Sequence, residues 1–381
     1  GWVDKTLKVM KKVWAREVDG LGYRAPLSDG ALPRSRNGGN GKFDVYLADV
    51  GDDLLYGYCS ADFVLRDDRR RAGGYCVLDN DFSTDQYGGK PGRTLAVTAA
   101  HEFFHAIQFG YDYYEDRWFM ESTATWVEER FADGVNDNRQ YLAFGQVAEP
   151  DTSLDLFERG GFAHYGNWPF WEHLSERYGD AIVRRTWNTA QGATYSTRAV
   201  EKVLARRGGF AKRFAAFAAG NLTPSQSYPE GRHWPTAAPE AKWTFGRRSA
   251  ARSDEVGIDH MASASYVFVP DTTLTSEGFA GAPYRLRVGV EGPRAKTSPT
   301  AWLVVRTVDG DWRSEQVELD ADGSATVTVP FTVEKVEAVS LTLVNASTRF
   351  RCDKDTPDWS CFGIPRDQDE QFALTAEVYE R

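Results

Sequence analysis

The stretch TAAHEFFHAIQFGYD, residues 98–112, lies at the centre of the first half of the chain. Its apolar pattern predicts a helix from Thr94 to about Gly110, where glycine is a stop signal. A second helix is predicted over 118–131. Because only a short turn separates them, the two helices can run antiparallel and pack against each other.

Strands and helices surround this pair. Residues 43–50 and 75–82 read as strands, and the amphipathic pattern over 3–18 predicts a helix whose apolar face lies on a core. Two more helices are predicted at about 165–190 and 196–219. Strands followed by a run of helices indicate an α+β domain over residues 1–220.

The pattern changes after residue 220. Residues 221–254 contain four prolines and few apolar runs, which predicts a linker or strap. From residue 255 the hydrophobic period becomes two, and Asp309-Gly310 and Asp322-Gly323 are hairpin turn signals. We therefore expect a β-sandwich over 255–381, with strands at 265–269, 284–290, 301–307, 324–329, 339–344 and 372–379.

Length and charge exclude some classes of protein. A chain of 381 residues is long for one core, so two domains are expected. Its 45 Lys and Arg against 55 Asp and Glu give a net charge of −10, which argues against binding nucleic acid. No segment approaches the roughly 20 apolar residues of a membrane span. The start at Gly1, without Met or signal peptide, suggests a mature or trimmed chain.

The four cysteines fall into two local pairs. Cys59 and Cys76 lie close in sequence, as do Cys352 and Cys361, and neither pair has zinc-knuckle spacing. The prediction is one disulfide for each pair, with four unpaired thiols as the alternative. Disulfides are typical of oxidising compartments, which favours a secreted protein.

The helix at 94–110 carries an H-E-x-x-H motif. His101 and His105 are four residues apart, so their rings share one helical face and can bind one ion. Neutral imidazoles suit Zn²⁺, which lowers the pKa of a bound water to about 7. Glu102, between the histidines, is the candidate general base that takes the proton from that water.

A catalytic zinc site needs a third protein ligand, and the second helix offers one. Glu121 stands in an otherwise apolar first turn, where an unpaired carboxylate is costly. The antiparallel arrangement brings it beside the two histidines. Glu128 and Glu129 are rivals, but they lie near Arg130 and are expected to be solvated.

The segments HEFFHAIQFGYD and WFMESTATWVEE resemble the gluzincin type of zinc peptidase, and more closely a group of secreted bacterial metalloproteases. YLADVG, YGYC and YCVLDNDF are similar to the same group, so the resemblance covers roughly residues 1–190. It implies a zincin-like catalytic domain, a twisted sheet with active-site helices. His101, His105 and Glu121 would bind zinc, and Glu102 would be the general base.

The oxyanion formed in peptide hydrolysis also needs a hydrogen-bond donor. The stretch FAHYGNWPFWEHLSERYG, 162–179, is similar to the gluzincin segment in which a Tyr precedes a packed helix. Tyr165 is the candidate donor, His164 is the rival, and a packing role for Tyr165 is the alternative. His233 and His260 carry no spacing signal.

Four polar residues before the zinc helix suggest a calcium site as an alternative: Asp79, Asn80, Asp81 and Asp85. Their spacing does not match an EF-hand. We expect instead that the strand ending there forms the edge of the substrate cleft.

The predicted function is that of a secreted zinc endopeptidase acting on a protein or peptide substrate. One alternative is an inactive zincin scaffold that presents the β-domain for contact with glycan or protein. The other is an aminopeptidase, which would need an acidic anchor for the substrate amine; no motif for one is visible in the chain.

Overall fold

The computed structural model describes residues 1–277 and 283–381 and divides into two compact units. The first unit comprises Gly1–Tyr141, Phe157–Val203 and Pro357–Phe362, and the second comprises Leu142–Leu156, Leu204–Thr356 and Gly363–Arg381. Helices and sheets are both abundant, which confirms the α+β class. Residues 204–220, assigned by sequence to the first domain, lie in the second unit.

Eight helices are described in the first unit, and the last of them ends at the unit boundary. They are α1 (Trp2–Trp14), α2 (Thr84–Tyr87), α3 (Pro91–Asp112), α4 (Arg117–Ala132), α5 (Ala163–Gly166), α6 (Trp168–Tyr178), α7 (Ala181–Thr189) and α8 (Ser196–Leu204). The helix predicted over 165–190 is interrupted at Gly179, whose φ of 78° is accessible to glycine without strain. The helix predicted over 196–219 is likewise divided in two, near Gly208 and Gly209, whose φ angles are 95° and 85°.

The first unit has a three-stranded sheet in the order β1-β3-β2, formed by β1 (Val45–Ala48), β2 (Gly57–Val64) and β3 (Ala72–Asp79). β3 pairs in parallel with β1 and antiparallel with β2. The strand before the helix with the H-E-x-x-H motif is therefore central, and the expectation that it forms an edge is wrong. The reason is β2, an irregular strand that the sequence pattern did not reveal.

Cys59 and Cys76 lie opposite each other on β2 and β3 and form a disulfide. Cys352 and Cys361 are also disulfide-bonded. All four cysteines belong to the described part of the chain, and none of them is free. The prediction of two disulfides is confirmed.

Large aromatic side chains fill the core of the first unit. Five tryptophans are almost completely buried, namely Trp118, Trp126, Trp168, Trp171 and Trp187. Each buried indole N–H needs an acceptor, and hydroxyl groups supply several of them. The indole of Trp171 donates to Ser122 Oγ at 2.8 Å and that of Trp187 donates to Thr123 Oγ1 at 3.2 Å. These contacts fix α4 against α6 and α7.

Helix α1 departs from its expected role. Its apolar face was predicted to lie on a core, yet Val3 and Leu7 are 69% and 53% exposed, and Trp14 is 38% exposed. Only Thr6 and Val13 are buried within the helix. The chain then continues as a π-helix over Ala15–Gly20. One apolar stripe of α1 is therefore open to solvent.

The second unit contains two larger sheets whose inner residues share one hydrophobic core. The four-stranded sheet has the order β10-β7-β14-β5, and the five-stranded sheet has the order β4-β6-β11-β8-β9. The strands are β4 (Ala241–Phe245), β5 (Ala251–Ile258), β6 (Ala262–Pro270), β7 (Tyr284–Glu291), β8 (Pro299–Thr307), β9 (Trp312–Val317), β10 (Ser324–Pro330), β11 (Val336–Asn345) and β14 (Glu370–Glu380). A small pair, β12 (Phe350–Arg351) and β13 (Ile364–Pro365), lies beside them in sequence.

Two helices and part of the proline-rich segment join this unit. Helix α9 (Gly209–Gly220) packs on β8 and β11, and α10 (Pro224–Ser227) follows it. Residues 241–254, assigned by composition to a linker or strap, contain β4 and the first part of β5. Trp243 on β4 packs against Tyr266 of the sheet at 5.4 Å, a contact that composition cannot reveal.

The two predicted hairpin turns behave differently. Asp309-Gly310 connects β8 and β9, which pair antiparallel as expected. Asp322-Gly323 precedes β10, whose partner is β7 in the other sheet. At this turn the chain passes from the five-stranded sheet to the four-stranded sheet. The Asp-Gly signal therefore predicted where the chain turns, but not which strand β10 pairs with.

A buried charged pair lies in the second unit. His260 Nε2 is 2.7 Å from Asp155 Oδ1, and its Nδ1 is 2.6 Å from Gln368 Oε1. Burial alone would lower the pKa of His260, but the charge of Asp155 and these hydrogen bonds outweigh it and raise the pKa. Both ring nitrogens face acceptors, which favours the protonated ring.

Within residues 1–277 and 283–381, no helix combines the length and the apolarity that crossing a membrane requires. This finding agrees with the absence of a long apolar run in the sequence.

We expect His260→Ala to destabilise the protein because it removes the imidazole from a buried carboxylate. Breaking a buried pair typically costs about 3–5 kcal/mol. The matched control is His233→Ala, at an exposed histidine, which should change stability by less than about 0.5 kcal/mol. Urea unfolding followed by circular dichroism measures both, and equal midpoints for the two variants would contradict a stabilising role for the pair.

Candidate metal centre

Helices α3 and α4 bring three sequence-predicted residues together. Residues 113–116 connect the helices, so Glu121 in the first turns of α4 lies beside the middle of α3. The Nε2 atoms of His101 and His105 lie 3.3 Å and 3.4 Å from the same oxygen, Glu121 Oε2. The three side chains offer one ligand atom each, all within 4.8 Å of one another.

The other nitrogen of each histidine is held by a second side chain. His101 Nδ1 lies 2.7 Å from Glu128 Oε1, and His105 Nδ1 lies 2.7 Å from Gln108 Oε1. A ring that donates from Nδ1 keeps the lone pair of its Nε2 for a ligand. Both tautomers are therefore set by neighbours, as is usual for histidines that bind metal.

Gln108 also connects the two helices. Its side chain is fully buried, and its Nε2 donates to Met120 O at 2.8 Å and to Thr123 Oγ1 at 3.1 Å. The amide thus accepts from a histidine on α3 and donates to α4. This double role fixes the position of His105 relative to the first turns of α4.

The donor set fits a zinc ion. Two imidazole nitrogens and one carboxylate oxygen are a common catalytic ligand set, and Zn²⁺ favours nitrogen ligands more than calcium does. The side chains of His101 and His105 are each 12% exposed and that of Glu121 is 20% exposed. A partly open site of this kind leaves access for water or a substrate.

Glu102 is one of the buried residues of α3. It is 8% exposed, and burial raises the pKa of its carboxyl group. Its backbone oxygen lies 2.8 Å and 3.4 Å from the two sulfur atoms of the Cys59–Cys76 disulfide. At Gly57 on β2, a Cβ atom would lie only 3.2 Å from Glu102 Cγ. The glycine and the disulfide therefore shape the space around Glu102.

Tyr165 lies on α5 next to the three candidate ligands. Its ring centre is 5.9 Å from that of His101, so Tyr165 lies beside one of the candidate ligands. The charge of Glu121, followed by burial, raises the pKa of Tyr165. The influence of Glu121 on this pKa shows that Tyr165 lies near the candidate ligands. Its role as hydrogen-bond donor stays a prediction.

The rival donor, His164, is buried beside Tyr165 with ring centres 4.5 Å apart. Burial lowers the pKa of His164 to about 4, so the ring is neutral at neutral pH. Its Nδ1 is buried without a hydrogen-bond partner. The Phe157 ring packs on the His164 ring, with centres 4.5 Å apart. Of the two rival donors, Tyr165 is the one with a ring contact to His101.

The expectation that Glu128 and Glu129 are solvated is wrong. Each is 7% exposed. Glu128 receives the hydrogen bond from His101, and Glu129 accepts one from Asn138 Nδ2 at 2.7 Å. Glu128 is seven residues after Glu121 and therefore lies on the same helical face. This face packs on α3, which explains its burial.

The alternative calcium site is not supported by the surroundings of Asp79. Its carboxylate accepts hydrogen bonds from the backbone N–H groups of Val50, Gly51, Asp81 and Phe82. Asp79 is fully buried, whereas Asn80 and Asp81 are exposed. The aspartate therefore caps two loops at the end of β3.

Sequence reasoning did not assign the roles of Gln108, Glu128 or Tyr141. Gln108 follows His105 by three residues, a spacing that places both on one helical face and could have suggested the contact. Tyr141 lies far away in sequence, and its ring stacks on Tyr165 with centres 5.0 Å apart. No sequence signal points to that pair.

No protein-family model matches this chain, and no curated protein is significantly similar to it. Among solved structures, a mitogen from Yersinia pseudotuberculosis is 8% identical over 35% of this chain and 86% of its own, with a TM-score of 0.20. The pre-peptidase C-terminal domain of a Bacillus anthracis collagenase is 10% identical over 37% of this chain and 97% of its own, also with a TM-score of 0.20. Likeness this weak establishes no common fold.

Glu128→Gln should weaken zinc binding without removing a ligand, because an amide is a poorer acceptor for His101 Nδ1–H. Loss of such a partner typically costs about 10–100-fold in metal affinity. Glu129→Gln, at the adjacent buried carboxylate that contacts Asn138, is the matched control and should keep the affinity. Competition with a chromophoric chelator measures both variants, and equal affinities would contradict this role of Glu128.

Proposed function

We propose that the chain is a zinc endopeptidase in which His101, His105 and Glu121 bind the metal. The observation that carries the proposal is the convergence of two imidazole Nε2 atoms on one carboxylate, each ring being oriented by a second side chain. The buried Glu102 beside them supplies the proton acceptor that hydrolysis needs. The resemblance of the two helix segments to gluzincins agrees with this set.

When bound, zinc supplies a water of pKa about 7 and polarises the substrate carbonyl. The protein supplies the proton transfers. The Glu102 carboxylate takes a proton from the attacking water and later delivers it to the amine that leaves. Its raised pKa brings proton uptake and release closer to neutral pH than an ordinary glutamate allows.

Tyr165 is the proposed donor to the oxyanion. Its ring lies 5.9 Å from that of His101, and the charge of Glu121 acts on its hydroxyl, so the hydroxyl is near enough to serve a carbonyl oxygen bound in front of the ligands. A phenol keeps its proton at neutral pH and donates a hydrogen bond without carrying a charge. Neighbouring Tyr141 supports the ring by stacking.

We also propose that the protein is secreted and that its second unit is a β-sandwich. Two disulfides are typical of proteins in oxidising compartments. Two sheets that share one hydrophobic core are the arrangement of a sandwich. Contact of this unit with glycan or protein is part of the proposal.

Glu102→Gln should remove most turnover of a denatured, N-acetylated protein substrate while zinc and fold are retained. The amide preserves the shape of the side chain and loses the proton acceptor, which typically contributes about 10²–10⁴-fold. Glu121→Gln should differ by weakening zinc binding itself. Turnover and zinc content are measured on the same samples.

The result for the unmodified protein separates the alternatives. Zinc binding without turnover of any denatured protein would favour an inactive scaffold. Turnover restricted to free amino termini would favour an aminopeptidase. Full activity of Glu102→Gln with zinc bound would contradict the proposed general base.

Tyr165→Phe should lower kcat and leave KM nearly unchanged, because the hydrogen bond to the oxyanion exists only in the transition state. Removing one such donor typically costs about 10²–10³-fold in kcat. His164→Asn is the comparison, since it changes the rival donor on the same short helix. If the loss of kcat followed His164→Asn and not Tyr165→Phe, His164 would be the donor.

A further inference from the structure

A long apolar groove lies between helix α1 and strand β1, with a volume of about 990 Å³. The apolar side chains that line it come from both elements, from the loop residues Ala25, Pro26 and Leu27, and from Phe103 of α3. On the α1 side they are Val3, Leu7, Met10 and Trp14, and on the β1 side Phe43, Val45 and Leu47. Several of them are more than one-third exposed, which is unusual for a contiguous apolar surface with no function.

Strand β1 is an edge strand, so one side of its backbone has no neighbour in the sheet order β1-β3-β2. The N–H of Cys76 on β3 donates to Asp44 O at 3.2 Å, which directs the polar groups of residues 44 and 46 toward β3. Because these groups alternate along a strand, those of Val45 and Leu47 are directed to the open edge. The same two residues line the groove.

The charged residues that line the groove are two lysines and one aspartate, although the whole chain is acidic. Helix α1 carries Lys5, Lys8, Lys11 and Lys12 but only one acidic residue, whereas the chain has a net charge of −10. Lys11 and Lys42 line the groove, and neither is in a described ion pair.

Asp44 also lines the groove, and its carboxylate accepts a hydrogen bond from the Tyr46 hydroxyl at 3.5 Å. The two lysines outnumber it, so the charge of the lining favours an acidic ligand.

We propose that this groove binds an extended, acidic segment of a partner protein, which adds to β1 as a further strand. The open backbone edge supplies main-chain hydrogen bonds, and the apolar lining accepts every second side chain. Acidic residues flanking the apolar ones pair with Lys11 and Lys42. The inference uses none of the metal-binding residues and stands independently of the peptidase proposal.

The probe is the acetylated peptide Glu-Glu-Val-Thr-Val-Thr-Val-Glu-Glu, mixed with the full chain, and its integrity is checked by mass spectrometry. We expect saturable binding and slower amide hydrogen exchange over residues 43–48. Two matched peptides test the chemistry. One has Lys in place of every Glu, and the other is N-methylated at alternate residues so that it cannot pair with an edge.

The chain offers a matched pair of variants for the charge. Lys11→Glu should weaken binding about tenfold, since it replaces an attraction by a repulsion at the rim. Lys12→Glu changes the same charge at the next residue, which does not line the groove, and should weaken binding less than about twofold by screened long-range repulsion. Leu47→Pro, which removes one outward N–H from an edge strand, should abolish protection over 43–48.

The binding measurements either support the proposal or overturn it. Binding that is lost with the methylated peptide and reduced by Lys11→Glu but not by Lys12→Glu supports the proposal. Absence of saturable binding overturns it. Equal binding of the Lys peptide, or equal effects of Lys11→Glu and Lys12→Glu, also overturns it. So does preferential occupation of the groove by oleate, or concentration-dependent dimerisation that Leu7→Glu abolishes, since the occupant would then be an amphiphile or a second copy.

Discussion

The hydrogen bonds of the Gln108 side chain are the constraint on which the candidate metal centre depends. One amide group accepts from His105 and donates to the backbone of α4 and to Thr123. Because it is fully buried, any displacement of α4 along α3 would leave polar atoms unsatisfied, at a cost of about 1–3 kcal/mol each. This contact therefore restrains the register of the two helices near Glu121.

The aromatic core strengthens the same constraint from the other side of α4. Indole N–H groups of Trp171 and Trp187 donate to Ser122 and Thr123, which adjoin the candidate ligand Glu121. Thr123 thus receives hydrogen bonds from both Gln108 and Trp187. The backbone on the C-terminal side of Glu121 is therefore held in place by core packing. Such rigid support is what a metal centre requires.

The sheet contributes the environment of Glu102. Burying a carboxylate lowers the stability of the folded protein. Proteins tolerate such a cost mainly at functional sites. The Cys59–Cys76 disulfide lies at the backbone oxygen of Glu102, and Gly57 leaves room for its side chain. Strands β2 and β3 therefore do more than cover α3: they exclude solvent from one side of the proposed general base.

The sequence pattern predicted those elements of the protein that are determined by residues close to one another in sequence. The spacing of His101 and His105, the apolar first turn around Glu121 and the helices α3 and α4 were visible in sequence, because helical periodicity needs only neighbouring residues. The local cysteine pairs and the strands β6, β7, β8, β10, β11 and β14 followed for the same reason. The pattern also predicted the amphipathic stripe of α1, but not that it lies open along a groove.

What depends on distant partners was decided only by the tertiary structure. Glu128 was expected in solvent because of its neighbour Arg130, yet packing against α3 buries it beside His101. Trp243 and Phe245 in the proline-rich segment belong to strand β4, which is stabilised by parallel pairing with β6. His260 carried no spacing signal, since its partner Asp155 lies 105 residues away. Sequence determines which side chains can form a helix face or a ligand, whereas burial and pairing are set by residues that only folding brings near.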